Sequence, residues 1–194
     1  MPTVKEVLND TKKRLKEQGI DTYSLDSSLL VSEVTGLTKI QLVTHDRSEV
    51  TEEQINRLEN LVKERLKNKP MQYILGHCEF MGLDFKVTEN TLIPRGDTEN
   101  IVEEVIATIE NSGYNTVLDM WTGTISVAHY TKAKVTASDI SSKALEVARE
   151  NAKILNADVN FIESDLFENI NETFDVLVSN PPYIESEVIP TLME

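Results

Sequence analysis

The sequence predicts an α/β protein in which a parallel sheet, covered by helices, follows a small helical bundle. In the first seventy residues, apolar side chains recur at helical spacing. After Gly113, short apolar runs alternate with helical segments, which is typical of a parallel sheet. From these patterns we expect a helical domain at 1–70, a β-hairpin connector at 71–93 and a second domain at 94–194.

Four apolar stripes predict the helices of the first domain. The first stops at Gly19 and the second at Gly36, because glycine commonly ends a helix in the left-handed conformation. The third is a short piece at 40–43. Thr51 begins the fourth with a T-x-x-Q capping box, and Pro70 ends it. We expect no catalytic constellation in this bundle.

Between the bundle and the sheet, the sequence favours a hairpin. Residues 72–75, 78–81 and 83–87 are β-like pieces separated by single glycines. A helix with one apolar face follows. Asp97 or Thr98 is its predicted N-cap, because such side chains accept hydrogen bonds from the first free backbone N–H groups.

The second domain should carry four strands. Each is a short apolar run, and the last contains consecutive Val, Leu and Val, as expected of a strand buried on both faces. Ser141 or Ser142 caps the long helix. The predicted order is strand 116–119, helix 125–130, strand 134–138, a helix ending at 155, strand 159–162 and strand 174–178.

The formal net charge of −14 argues against a protein that coats nucleic acid, because neutralising phosphates requires a basic face. The densest cations are Lys63, Arg65, Lys67 and Lys69. We interpret them as the solvated end of a helix, where cations complement the helix dipole, rather than as a nucleic-acid patch.

The single cysteine, Cys78, excludes an internal disulfide and a cysteine-based zinc cluster, so we interpret it as a packing residue. The N-terminal residues mix charged and apolar side chains and give no secretory segment. No stretch of the sequence approaches the length of a membrane span. We therefore expect a cytoplasmic protein.

The most informative motif follows the last predicted strand and consists of Asn180, Pro181, Pro182 and Tyr183. Ligands of open α/β sheets bind at the carboxyl ends of the strands. Two prolines make a stiff turn without backbone N–H groups, which leaves carbonyls as acceptors. Together with the Asn180 side-chain oxygen, a neighbouring carbonyl can accept both hydrogens of an amide or nucleobase NH₂ group. The alternative is a solvent-exposed turn, since such dipeptides mark turns generally.

A second set of residues is typical of a nucleoside site. Asp119 and Asp139 end successive strands, and an acid at the second strand tip accepts hydrogen bonds from ribose hydroxyls. Residues 121–124 stand where a glycine-rich loop approaches a ligand, although they contain a single glycine. Residues 164–167 follow the third strand, where the base would lie. The alternative for Asp139 is an ordinary acid before a helix.

Together, these segments resemble the release-factor glutamine methyltransferases, which use S-adenosylmethionine. The resemblance covers nearly the whole chain and implies a Rossmann-like S-adenosylmethionine methyltransferase sheet behind a substrate-docking helical domain. It rests on an ordered set of segments at 70–76, 79–82, 92–95, 98–99, 117–119, 138–141 and 180–183.

The family's reaction transfers a methyl group to the side-chain amide nitrogen of the glutamine in the Gly-Gly-Gln motif of peptide chain release factors. The resemblance implies that Asn180 and Pro181 are catalytic. The residues implied for the substrate are Asn180, Pro181, Pro182 and Tyr183. Those implied for S-adenosylmethionine are Asp119, Thr122, Gly123, Thr124, Asp139, Asp165, Leu166 and Asn180. We expect a monomer that needs no metal, membrane or direct nucleic-acid partner.

The chain departs from the family's pattern in three places. Gly96 replaces a proline and loosens one turn. The loop after Asp119 is roughly two or three residues shorter than the usual glycine-rich loop, and Trp121 stands where a small residue is usual. The chain ends at Glu194, so we expect the last strands of the family's sheet to be missing from this sequence.

Two alternatives stay open at this point. One is an adenine-specific DNA methyltransferase, because the same four-residue motif can hold the amino group of a flipped adenine. The net charge of −14 weighs against it. The other is a binding module of the same fold whose shortened loop no longer holds the cofactor.

Overall fold

The computed structural model describes residues 1–120 and 125–180, and the chain divides into two compact units, Met1–His77 and Cys78–Glu194. Among the described residues, no helix combines the length and apolar character needed to cross a membrane.

Helices packed around one apolar core build the first unit. Gly36 ends the second helix with a φ of 71°, and the Thr51 side chain accepts a hydrogen bond from the Gln54 backbone N to begin the fourth, as predicted. The described helices are α1 (Val4–Glu17), α2 (Tyr23–Thr35), α3 (Lys39–Thr44), α4 (Glu52–Leu66) and α5 (Met71–Leu75). Buried side chains of the core include Leu15, Leu30, Val31, Val50 and Val62.

The prediction of a strand at 72–75 is wrong, because these residues belong to α5. Pro70 precedes the helix with a φ of −56°, and Gly76 ends it in the left-handed conformation with a φ of 81°. The Gly76 N–H donates to the carbonyl of Gln72 at 2.7 Å, which closes the turn. A helix of barely more than one turn offers too few positions for hydrophobic spacing to separate it from a strand.

Ion pairs account for most of the cation cluster at 63–69. Arg65 Nε lies 2.8 Å from Asp26 Oδ2, and both side chains are largely buried. On the exposed surface, Lys67 Nζ lies 2.7 Å from Glu64 Oε1. These pairs lie at the C-terminal end of α4, which confirms the interpretation of the cluster as the end of a helix, but the prediction that it is solvated is wrong for Arg65, whose side chain is 15% exposed.

A two-stranded hairpin, β1 (His77–Phe80) and β2 (Leu83–Lys86), follows as predicted. Its turn residues, Met81 and Gly82, have φ values of 54° and 70°, as a type I′ turn requires. The Met81 backbone N donates to Glu99 Oε1 at 2.7 Å, and the Tyr130 hydroxyl donates to the Met81 carbonyl at 2.6 Å. These bonds hold a left-handed conformation that is otherwise unfavourable for methionine.

Helix α6 (Gly96–Ser112) begins earlier than predicted. Its N-cap is Arg95, which makes no side-chain cap bond, so the prediction of Asp97 or Thr98 as the N-cap is wrong. The extended backbone of Arg95 lets its carbonyl accept from the Thr98 N–H at 2.9 Å, which already closes the first turn. Asp97 instead lies inside that turn, where a carboxylate complements the helix dipole.

The second unit contains the predicted parallel sheet, which confirms the α/β class. Its four described strands lie in the order β5-β4-β3-β6, and every pair is parallel. The strands are β3 (Thr116–Met120), β4 (Lys134–Asp139), β5 (Val159–Glu163) and β6 (Val176–Ser179), and the helices between them are α7 (Ile125–Tyr130) and α8 (Ser142–Ile154). Apolar side chains from both layers form the core, among them Val102, Val117, Val135, Ile125 and Ala148.

Charge is divided unequally between the two units. Residues 1–77 contain 12 basic residues (Lys and Arg) and 12 acidic residues (Asp and Glu). Residues 78–194 contain 7 basic and 21 acidic residues. The whole net charge of −14 therefore belongs to the unit that contains the sheet.

Asp175, just before β6, joins the amino ends of two neighbouring strands. Its Oδ2 accepts hydrogen bonds from the backbone N–H groups of Asn115 and Thr116, both at 3.0 Å, and from the Thr116 hydroxyl at 2.8 Å. The backbone N–H of Asn115 contributes most to a lowered pKa of the Asp175 carboxyl, followed by the bonds from Thr116. The charged carboxylate thus aligns the start of β6 with the start of β3.

We predict that Asp175→Ala lowers the thermal midpoint at pH 7 and that this loss shrinks as the pH falls below about 4. The sign follows from the pKa. A group whose pKa is lowered in the folded state stabilises above its unfolded pKa, and the contribution is lost as the pH falls through the folded pKa. Thermal unfolding monitored by circular dichroism between pH 3 and pH 7 measures both effects.

Asp158→Ala is the matched control, because Asp158 also directly precedes a strand and is exposed, with no hydrogen bond or ion pair in the described parts of the chain. It should leave the midpoint nearly unchanged. Equal losses in the two variants at pH 7 would show that the bonds of Asp175 do not stabilise the sheet.

Candidate functional site

The candidate site follows the carboxyl edge of the parallel sheet. The strand register pairs Met120, at the end of β3, with Ser138 of β4 on one side and Ser179 of β6 on the other. Asp139 and Asn180 each follow these partners by one residue. Because neighbouring strands lie about 4.8 Å apart, the two residues flank the end of β3 with a backbone separation of about 10 Å.

Asp139 is half-buried at the end of β4, and its orientation is fixed by backbone bonds. Oδ1 accepts a hydrogen bond from the Ser141 N–H at 2.8 Å. The Asp139 carbonyl accepts one from the Ser164 N–H at 3.1 Å, which ties it to the segment after β5. Within 1–120 and 125–180, Oδ2 has no hydrogen-bond donor, so this oxygen can accept from a ligand.

A pocket opens beside Asp139. Its walls combine carboxylates with apolar side chains. Two of these apolar residues are unusually exposed to solvent, Ile140 to 63% and Leu166 to 53%. A flat apolar ring attached to a hydroxylated sugar matches such a mixture. The described residues that line the pocket are Met120, Ser138, Asp139, Ile140, Ser164, Asp165 and Leu166.

The charge of this pocket favours a positively charged nucleoside over a nucleotide that carries phosphate groups. Asp139 and Asp165 line it, and no Lys or Arg does so among the described lining residues. Phosphate groups need basic side chains or the N–H groups of a glycine-rich turn, whereas a cationic ligand is attracted by carboxylates. The described part of the pocket therefore fits a positively charged nucleoside better than a nucleotide.

The structure brings three predicted cofactor residues together at this pocket, namely Asp139, Asp165 and Leu166. Asp119 lies in the adjacent strand β3, where its side chain is only 3% exposed. Its carbonyl accepts a hydrogen bond from the Ser138 hydroxyl at 3.5 Å, which joins the ends of β3 and β4. The ligand contacts assigned to these four residues stay predictions.

On the other side of β3, Asn180 is half-buried and directly follows β6. The remaining predicted site residues lie outside the described parts of the chain. They are Thr122, Gly123 and Thr124, which follow β3 in the sequence, and Pro181, Pro182 and Tyr183, which follow Asn180.

Sequence reasoning did not predict three of the pocket residues, and it placed Ser164 in the segment near the base without giving it a role. The three are Met120, Ser138 and Ile140. Each adjoins a predicted residue in the sequence, so position at a strand end was the signal that pointed to it. Serine and isoleucine are common at strand ends for other reasons, and the residue types alone did not mark these positions.

Two known families match the chain. The PrmC N-terminal domain matches residues 6–76, and the methyltransferase small domain matches residues 99–192. The release factor glutamine methyltransferase of Clostridium acetobutylicum is 39% identical to the chain, over 98% of the chain and 70% of that relative. The release factor glutamine methyltransferase of Fusobacterium nucleatum subsp. nucleatum is 41% identical, over 97% of the chain and 56% of that relative.

Among solved structures, the Pyrococcus abyssi tRNA (uracil-54, C5)-methyltransferase in complex with S-adenosyl-L-homocysteine is similar to the chain with a TM-score of 0.47 and 25% identity. The similarity covers 55% of the chain and 28% of that structure.

The matches confirm the resemblance predicted from the sequence. The methyltransferase small domain contains every described strand of the parallel sheet, which is therefore a Rossmann-like methyltransferase sheet. The PrmC N-terminal domain covers α2 to α5 and all but the first two residues of α1. With 39% identity to a relative of which it spans 70%, the chain belongs to the release factor glutamine methyltransferase family.

Proposed function

We propose that the protein transfers a methyl group from S-adenosylmethionine to the side-chain amide nitrogen of the glutamine in the Gly-Gly-Gln motif of peptide chain release factors. One observation carries the proposal. In a chain of this family, Asp139 and Asn180 emerge on opposite sides of the end of β3, about 10 Å apart in the backbone. This spacing gives a nucleoside and an amide separate places along one edge, with room between them for the transferred group.

The chemical difficulty lies in the amide. Its nitrogen is a poor nucleophile because the lone pair is delocalised into the carbonyl, so orientation must supply much of the rate enhancement. In the proposed arrangement, the Asn180 side-chain oxygen and the Pro181 carbonyl accept the two amide hydrogens. These bonds aim the nitrogen and favour its pyramidal, reactive form. Pro182 stiffens the turn, and Tyr183 packs against the glutamine side chain.

The nucleoside side of the site binds S-adenosylmethionine and orients it. Asp139 Oδ2 accepts from ribose hydroxyls, while its Oδ1 stays on the Ser141 N–H. Ile140 and Leu166 contact the faces of the base, Asp165 lies at its polar edge, and Asp119, Thr122, Gly123 and Thr124 hold the methionine part. When bound, S-adenosylmethionine supplies a methyl group on a positively charged sulfur, which becomes a neutral thioether as the sulfur–carbon bond breaks. The glutamine nitrogen forms the new bond to carbon and releases one proton to solvent.

The first unit, which matches the PrmC N-terminal domain, is the proposed docking domain for the release factor. Its charges balance, so its recognition of the partner rests on shape and apolar contact more than on net charge. We propose that a single copy of the chain acts on the release factor in the cytoplasm, without nucleic acid. The net charge of −14 on the methyltransferase unit supports the last point, because it opposes binding to phosphates.

We predict that Asn180→Ala lowers the turnover of a release factor by about 100-fold or more, because one of two orienting acceptors is lost from the transition state. Incorporation of isotope-labelled methyl groups into a purified release factor measures this rate. The thermal midpoint of the variant serves as the folding control. A wild-type rate in the folded variant, or labelling of DNA instead of the release factor, would contradict the proposal.

We predict that Asp139→Asn weakens the binding of S-adenosylmethionine by about 10- to 100-fold, the usual value of a hydrogen bond to a charged acceptor. Isothermal titration calorimetry measures the dissociation constant directly. Asp158→Asn is the matched control, since it removes an equivalent carboxylate just before β5, at the opposite end of the sheet from the pocket, and should leave affinity unchanged. Equal affinities for the two variants would show that Asp139 does not contact the ribose.

A further inference from the structure

One residue of the pocket has a backbone conformation that its side chain disfavours. Leu166 has a φ of 47°, in the left-handed region, where a Cβ atom crowds the following carbonyl. Four described residues other than glycine have positive φ. Asn68, Met81 and Asn156 lie away from the pocket, at two helix ends and the hairpin turn, whereas Leu166 lines the pocket. Unfavourable conformations of this kind persist only where surrounding contacts hold them.

One backbone bond and two side chains hold Leu166. The Glu168 N–H donates to the Asp165 carbonyl at 3.0 Å and closes the turn. The Ser164 hydroxyl, in a side chain only 5% exposed, donates to the Leu166 carbonyl at 3.0 Å and accepts from the Asn169 N–H at 3.0 Å. The Asn169 side-chain amide donates to the Glu163 carbonyl at 2.8 Å, back on strand β5. The hydroxyl therefore binds both sides of the turn, and Asn169 fastens the turn to the sheet.

Ser164 is also linked to the other half of the pocket. Its backbone N–H donates to the Asp139 carbonyl at 3.1 Å, so one residue connects the end of β4 with Leu166. By contrast, the side chains of Leu166 and the next residue, Phe167, are more than half exposed and add little packing to the turn. Besides the backbone bond from Glu168 to Asp165, the two side-chain hydrogen bonds of Ser164 and that of Asn169 restrain the pocket wall and fasten it to the sheet.

We infer that Ser164 and Asn169 are positioning residues for S-adenosylmethionine, because they hold Leu166 in the left-handed conformation that forms one wall of the base pocket. This inference rests on the proposed function and extends it to two residues whose side chains act through Leu166. Without the Ser164 hydroxyl, Leu166 relaxes toward an ordinary negative φ. Only a fraction of the molecules then has Leu166 in the conformation that forms the pocket wall. The apparent dissociation constant rises as that fraction falls.

A double-mutant cycle tests this inference by calorimetric titration with S-adenosylmethionine. Ser164→Ala should raise the dissociation constant about tenfold in the wild-type background, if the wall is then competent in about a tenth of the molecules. Glycine adopts positive and negative φ with similar ease, so in a Leu166→Gly background the same change should cost about twofold or less. Such a smaller cost in the Leu166→Gly background is not expected of a serine that merely stabilises the fold.

The matched control is Ser27→Ala, which removes a fully buried serine bonded to the Tyr23 carbonyl in the first unit. It should lower the thermal midpoint and leave the dissociation constant unchanged. If Ser164→Ala does not fold, Asn169→Ala replaces it in the cycle, because it releases the turn from β5 while keeping the Ser164 hydroxyl.

Two results would overturn the inference. If wild type binds S-adenosylmethionine and Ser164→Ala binds equally well, or loses the same factor in both backgrounds, Ser164 does not position the wall and the proposed function stands. If the wild-type chain shows no binding at all, the proposed function fails and takes the inference with it.

Discussion

The site depends on the parallel register of β3 with both of its neighbours. Because β4 and β6 run parallel to β3 and in register with it, Asp139 and Asn180 leave the sheet at the same edge, one strand spacing to either side. A shift of one strand by a single residue would reverse which face its side chains occupy and separate the two residues. Asp175 holds the register at the opposite edge through its three hydrogen bonds to Asn115 and Thr116. The spacing between neighbouring strands therefore sets the distance between the bound nucleoside and the glutamine amide.

The two sides of the site, the nucleoside side at the end of β4 and the amide side at the end of β6, differ in how they are held rigid. On the nucleoside side, backbone bonds to Asp139 and side-chain bonds from Ser164 fix a carboxylate and an exposed apolar wall before any ligand arrives. Such preorganisation reduces the ordering that binding would otherwise require. On the amide side, the described chain reaches Asn180, and the proline turn proposed for the glutamine follows it. The acidic character of the whole unit suits a cationic cofactor.

Much of the fold was predictable because its signals are local. Gly36 ends α2 and the Thr51 box begins α4, since one residue type at one position satisfies the free backbone groups there. The prediction of a strand at 72–75 was wrong because α5 is too short for its apolar residues to show helical spacing. Asp139 was predictable from its place at a strand tip, whereas the bonds of Ser164 were not. They depend on the left-handed conformation of Leu166 and on a residue five positions away, and neither follows from residue type.

In the proposed reaction, the carboxyl end of the sheet presents a glutamine amide to the methyl group of S-adenosylmethionine. Tandem mass spectrometry of a release factor, after incubation with the protein and S-adenosylmethionine, tests it most directly. We expect a single added methyl group on the side-chain amide of the Gly-Gly-Gln glutamine. A methyl group on any other residue, or an unmodified glutamine under conditions where the protein binds S-adenosylmethionine, would contradict it.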